Sequence, residues 1–324
     1  MRPEIAALID TLLPRQHSRP EIDLLYRMMR DYPSRGGKGL RSELLLMTGA
    51  AYDGDPEAAA WLAAAIELFQ NWVLIHDDIE DDSEERRGKP ALHRAHGLPL
   101  ALNAGDALHV YMWDAVFRSH VEAARNEFLE MVHRTAEGQH VDLAWVAHHE
   151  WNLTDVDYLE MVRLKTSYYT VVSPLRLGML TAGLEPHAAF TSAGLDLGAA
   201  FQIRDDVLNL VGDAATYGKE IAGDLLEGKR TLIVLEWLRE ARPRERGAFL
   251  DQMRRPRDGK DPDVIADALR SILASNAVTR AQHVADDLAA RGLATLEGAL
   301  SDAPNRASAE RIVDLVRSLA TREA

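Results

Sequence analysis

The sequence predicts an all-helical protein forming a single domain over residues 1–324. Apolar residues recur at three- and four-residue spacing through long segments, no stretch alternates apolar and polar residues as a strand does, and helix starts and stops are legible. With 47% apolar and 27% charged residues, the chain has the composition of an ordinary soluble globular protein. It contains no cysteine, which excludes disulfides and thiolate metal sites and fits a reducing compartment. The start, Met1-Arg2-Pro3-Glu4-Ile5, lacks the apolar run of a signal peptide, and no stretch approaches eighteen consecutive apolar residues. A cytoplasmic location without a membrane segment is therefore expected. The net charge of −14 argues against nucleic acid as a partner.

Taken in order, Gly36-Gly37-Lys38-Gly39-Leu40-Arg41 opens a helix with glycines and two cations. Backbone N–H groups at such a start can approach an anion. Gly54-Asp55-Pro56 ends one helix and opens the next, with Asp55 as N-cap and Pro56 in the first turn. The stretch from Ala58 to about Ile79 is apolar nearly all round, which marks a buried helix, and Ala188 to Leu210 reads similarly. Thr154 and Asp157 cap a helix running from Val156 to Leu180, which Gly183-Leu184-Glu185-Pro186 closes. The run from Arg254 to Pro262 reads as a polar exposed loop. The more charged helices after it read as a peripheral C-terminal cap.

Two of the buried helices end in acids. Asp77 and Asp81 share one helix face, with Asp78 beside them. Stacked carboxylates at a helix C-terminus repel one another and oppose the helix dipole, so a cation has to offset them. Mg2+ is the natural candidate, because it binds through one or two carboxylates plus substrate phosphates. Either cluster alone would be an ordinary solvated helix end. The second, Asp205-Asp206 with Asn209 at the spacing of Asp81, makes a facing pair across a cavity the better reading. Arg86-Arg87 follow the first cluster and Lys219 and Lys229 the second, so two anion sites are outlined, one bridged by metal and one held by Lys and Arg.

These residues resemble the trans-isoprenyl diphosphate synthases. Gly36 to Arg41 is similar to that family's GGKxxR segment, and Asp77 to Asp81 with Arg86-Arg87-Gly88-Lys89-Pro90 to its first aspartate-rich motif and trailing RRGxP. Lys165-Thr166 resembles its KT pair, Gln202 with Asp205-Asp206 its second motif, and Lys219 with Asp224 the loop that follows. The resemblance spans residues 36 to about 232 in the family's order and spacing. It implies an isoprenoid-synthase-type helical bundle around a central active-site cavity, acting as a homodimer. The implied reaction is Mg2+-dependent head-to-tail condensation of isopentenyl diphosphate with an allylic diphosphate.

By the same resemblance, Asp77, Asp81 and Asp205 would hold three Mg2+ ions, supported by Asp78 and Asp206. Arg86, Lys165, Lys219 and Lys229 would bind the allylic diphosphate, with Thr166 and Gln202 beside them. Gly37, Lys38, Arg41, Gln70 and Arg87 would hold isopentenyl diphosphate. Gln70 lies two helical turns before Asp77 on the same face. Asn209 stands where many members carry a third Asp, and it is a weaker partner for Mg2+, so Asp213 could share its load. Chain length would be set beneath Asp77, by Trp72 and Val73, giving geranylgeranyl or alternatively farnesyl diphosphate. A class I terpene cyclase would have no use for the Lys38–Arg41 segment. A non-catalytic subunit of a heteromeric synthase would be expected to have lost one acidic motif, and both are present.

Overall fold

The computed structural model describes residues 1–212 and 222–320, with side chains to 318. Helices begin where the sequence supplies a rigid first turn. Proline opens α1 (Pro3–Leu12) and α2 (Pro20–Ser34), where its missing N–H costs nothing. α3 (Leu40–Ala51) follows Gly39, whose φ of 62° lies in the left-handed region. α4 (Pro56–Glu80) carries the expected cap, the Asp55 side chain accepting from the Glu57 N–H at 2.9 Å.

Helices do not run throughout. β1 (Glu85–Arg86) and β2 (Lys89–Pro90) pair antiparallel around a two-residue turn, Arg87-Gly88. Both turn residues have positive φ (54° and 71°), which suits the twist of paired strands. Two residues per strand are too few for alternation to register in the sequence.

α5 (Leu92–His96), α6 (Leu98–Arg118) and α7 (Glu122–Ala147) follow. The Thr154–Asp157 capping box forms as expected and starts α8 (Asp155–Val162). The continuation to Leu180 is not uniform. A π-helical segment (Arg163–Val172) intervenes before α9 (Ser173–Leu180). Pro174 lacks the N–H that α-helical pairing with residue 170 requires, which favours a wider register ahead of it. The segment is pressed between α7 and α10 (Ala188–Val211). A methyl added at Gly138 would lie 2.2 Å from the Lys165 nitrogen, and one at Gly198 would lie 2.4 Å from the Ser167 Cα, so only glycine permits this approach.

The chain then forms α11 (Gly223–Glu227), α12 (Leu232–Glu240), α13 (Pro243–Gln252), α14 (Pro262–Ala274), α15 (Ala277–Ala299) and α16 (Arg306–Ala320). The last helices are not the peripheral cap that their charge suggested. α15 lies along α10, with Ala281, Ala285 and Leu288 in one apolar cluster with Ile203 and Val207. Ile312 and Val316 of α16 pack with Leu44 and Met47 of α3. The charges occupy the outer faces of amphipathic helices.

α4 forms the middle of the largest cluster, where Leu62, Ile66, Leu68 and Phe69 are buried. Each such side chain stabilises the fold by about 1.5–3 kcal/mol. By length and composition alone α4 could cross a membrane, although Glu67, Gln70 and Asn71 interrupt its apolar run. Two-thirds of that stretch (67%) is instead buried against neighbouring helices.

Candidate active site

α4 and α10 deliver their acidic ends to one cavity of about 240 Å3, and the π segment supplies Lys165. Asp77, Asp205 and Asp206 line it together with Lys165, Lys229 and Arg41. Gln70, Val73, Thr166 and Gln202 also reach it.

The two acidic motifs are built alike. In each, the first acid faces the cavity and the second is buried beneath a tyrosine. Asp78 is fully buried, accepts from the Tyr32 hydroxyl at 2.5 Å, and receives the Arg86 guanidinium on both oxygens. Asp206 accepts from the Tyr158 hydroxyl at 2.7 Å and from Gln202 Nε2 at 2.8 Å, while Thr166 donates to Gln202 Oε1 at 2.9 Å. Burial pushes the Asp206 carboxyl up to about 6, against the pull of these donors. Asp78 and Asp206 are thus held fixed beside the acids that face the cavity.

Arg86 departs from its expected place. A fully buried carboxylate needs a counter-ion, and Arg86 is that ion for Asp78. It approaches Asp77 at 3.5 Å but is not part of the cavity wall.

Lys165 donates to Asp142 at 2.6 Å and lies 3.9 Å from Asp77. Lys229 reaches Asp81 and Glu227, both at 2.7 Å, and Asp224 at 3.9 Å. Burial pushes Asp81 up to about 7, Lys229 opposes this, and Asp77 and Glu227 add to it. Asn209 is buried, and its side-chain oxygen accepts from the Asp224 N–H at 3.3 Å, so it ties the returning chain to α10. Lys219 and Asp213 lie outside the described residues.

On the opposite side, Arg41 is buried, stacked on the Tyr169 ring at 4.3 Å and donating to Thr170 at 2.8 Å. Arg87 donates to the Tyr32 carbonyl at 3.0 Å. A methyl on Gly37 would fall 3.1 Å from the Arg87 guanidinium, so the β-turn and the glycine loop meet there. Lys38 is exposed on the same loop.

A second cavity, also of about 240 Å3, lies between α4 and α7, along α4 from Phe69 to Glu80. Phe69, Trp72, Val132 and Leu143 line it, and Val73 faces both cavities. The Trp72 ring is stacked on His109 of α6, 4.0 Å away and 13° from parallel.

Sequence reasoning missed Gln139 and Asp142 in the main cavity, and the two tyrosines. Thr135, Gln139 and Asp142 form a polar stripe at helical spacing within α7, and that signal could have found them. The tyrosines left none, since the residues they serve lie 46 and 48 positions away.

Paired acidic motifs facing one cavity of a helical protein, flanked by lysines and arginines, define a class of protein suited to holding a diphosphate through metal ions. The chain belongs to the polyprenyl synthetase family, whose model matches residues 22–272. It is similar to a short chain isoprenyl diphosphate synthase of Methanothermobacter thermautotrophicus, with 34% identity over 91% of this chain and 90% of that one. A geranylfarnesyl diphosphate synthase of Aeropyrum pernix is 37% identical over 65% of this chain and 69% of that one. A geranylgeranyl pyrophosphate synthase from Corynebacterium glutamicum, complexed with isoprenyl diphosphate and magnesium, superposes with a TM-score of 0.87. The match covers 98% of each chain at 26% identity. The chain is accordingly a short-chain prenyltransferase with an all-α isoprenoid synthase fold.

Proposed function

We propose that this chain condenses isopentenyl diphosphate with allylic diphosphates, head to tail, and releases geranylgeranyl diphosphate. The observation that carries the reading is the cavity in which Asp77 and Asp205 sit with Lys165 and Lys229, with Arg41 and Gln70 also on its wall. That arrangement offers separate places for two diphosphates.

The donors suit Mg2+. They are hard carboxylate oxygens, and among the described residues no group of three or more His, Asp and Glu is set to hold an ion alone. Asp77, Asp81 and Asp205 would hold the Mg2+ ions, with phosphate oxygens of the substrate completing their coordination. Mg2+ bound there would neutralise charge on the departing diphosphate. Lys165 and Lys229 add fixed positive charge at the same place, already oriented by Asp142 and Glu227. Arg41, Gln70, Gly37, Lys38 and Arg87 hold the second diphosphate.

The allylic C–O bond breaks and its electron pair leaves with the diphosphate. The isopentenyl double bond then forms the new C–C bond, and the proton lost from the adjacent carbon passes to the released diphosphate. No protein base is required.

The growing chain enters the second cavity, and Trp72 and Val73 set its length. Asn209 and the medium-sized Val73 favour the geranylgeranyl product. Its relatives include synthases of geranylgeranyl and of geranylfarnesyl diphosphate, which supports a short-chain product. We also read the enzyme as a cytoplasmic homodimer. The test is incubation with labelled isopentenyl diphosphate, Mg2+ and each allylic primer in turn, followed by sizing of the dephosphorylated products. A predominant twenty-carbon product is expected, and no condensation with any primer would overturn the reading.

A further inference from the structure

The loop that reads in the sequence as merely polar and exposed grips the turn that carries Lys229. Lys260, 9% exposed, donates through Nζ to the Leu226 carbonyl. Arg257 Nη1 lies 3.3 Å from Glu227 Oε1, and Glu227 Oε2 lies 2.7 Å from Lys229 Nζ. Gly228, with a φ of 76°, lets the chain reverse between Glu227 and Lys229, and a methyl there would fall 3.5 Å from the Met253 sulfur. The backbone thus sends Glu227 outward to Arg257 and inward to Lys229 at once. Both ion pairs are mostly buried, with side chains 12–19% exposed, where solvent screens them weakly.

Lys229 also holds Asp81 at 2.7 Å. Under the proposed function Asp81 is a metal ligand, so Lys229 and Mg2+ compete for one carboxylate. We propose that Glu227, tethered from outside by Arg257, is a positioning residue that retains Lys229 when Asp81 passes to the metal. The inference rests on the proposed function and adds to it a role for Glu227 and for the loop at Arg257.

A simple charge argument gives the opposite sign. Removing an acid near an anion site should tighten anion binding. A positioning role predicts weaker metal-dependent binding, because Lys229 without Glu227 falls back on Asp81 and excludes the ion.

Binding of inorganic diphosphate is measured by calorimetry with Mg2+ and with EDTA, on the full-length wild type, Glu227→Gln, Arg257→Ala and Arg257→Lys. The ratio of Mg2+ to EDTA affinity should fall about tenfold in Glu227→Gln, within the usual range for coupled sites. It should fall less in Arg257→Ala and return in Arg257→Lys. In turnover, KM should rise for the allylic substrate and stay unchanged for isopentenyl diphosphate. An affinity ratio that is unchanged or raised in Glu227→Gln overturns the inference. If that variant does not fold, the ratio in Arg257→Ala decides in the same way. Wild-type enzyme that fails to condense any substrates sinks the proposed function instead, so the two failures are distinguishable.

Discussion

Acids that the fold makes unfavourable without cations build this site, and Asp81 shows the consequence most directly. Burial raises its carboxyl to about 7 although Lys229 lies 2.7 Å away, because Glu227 shares that lysine and Asp77 repels it. The folded Asp81 therefore keeps its proton up to about pH 7, whereas the unfolded residue releases it near the ordinary carboxylate value. Between those values the folded state binds more protons, so this residue's contribution to stability falls as pH rises. Metal-free protein should melt higher at about pH 5.5 than at about pH 7.5 on this account. Asp81→Asn should flatten part of that slope and raise the Tm at the higher pH, while abolishing condensation. An unchanged Tm at about pH 7.5 would contradict it. Asp77 and Asp205 were legible in the sequence as acids ending two buried helices, and Lys165 through the family resemblance; the structure brings all three to one cavity. The bracing of Asp78 by Tyr32 was not, because buried hydrogen bonds between distant residues leave no local pattern.

At the scale of elements, caps and apolar helices were legible, because each is a local rule about one turn or one face. The π segment was not. Its register depends on the pressure of α7 and α10 at Gly138 and Gly198, and neither contact can be read along the chain. Yet that segment carries Lys165, Thr166 and Tyr169 to the cavity. α4 raises the matching question of product length. Its helical wheel puts Val73 under Asp77, and in the structure both Val73 and Trp72 reach the second cavity, with Trp72 held in place by the His109 stack. Trp72→Ala removes the larger side chain and should shift products to longer chains by one or more isoprene units. Some stability should also be lost, on the order of 2 kcal/mol for a partly buried aromatic residue. Products of unchanged length from Trp72→Ala, alongside longer ones from Val73→Ala, would move the floor to Val73.

For the molecule as a whole, composition indicated an acidic helical chain but not how its surfaces are used. α6 is the informative surface. One face packs on α4, where a methyl on Gly105 would fall 2.4 Å from His76 Nε2 and where His109 backs Trp72. Its other face leaves Leu98, Leu102, Val110 and Phe117 between 41% and 66% exposed. Positions 102, 110 and 117 recur at eight and seven residues, which puts them on one stripe of the helix. An apolar stripe of this kind marks an interaction face, and a second copy of the chain is the occupant that the homodimer reading requires. A stable pair buries about 800 Å2 per partner, so one charge at the centre of the stripe should be enough to break it. Val110→Glu is the test, because Val110 is the most exposed of the four. Light scattering should give a dimer mass for the wild type and a monomer mass for the variant, with helicity unchanged by circular dichroism. Because the face opposite the stripe supports Trp72, the monomer should also lose condensation activity several-fold. A wild type that is monomeric at micromolar concentration, or a Val110→Glu variant that stays dimeric, would remove α6 as the interface.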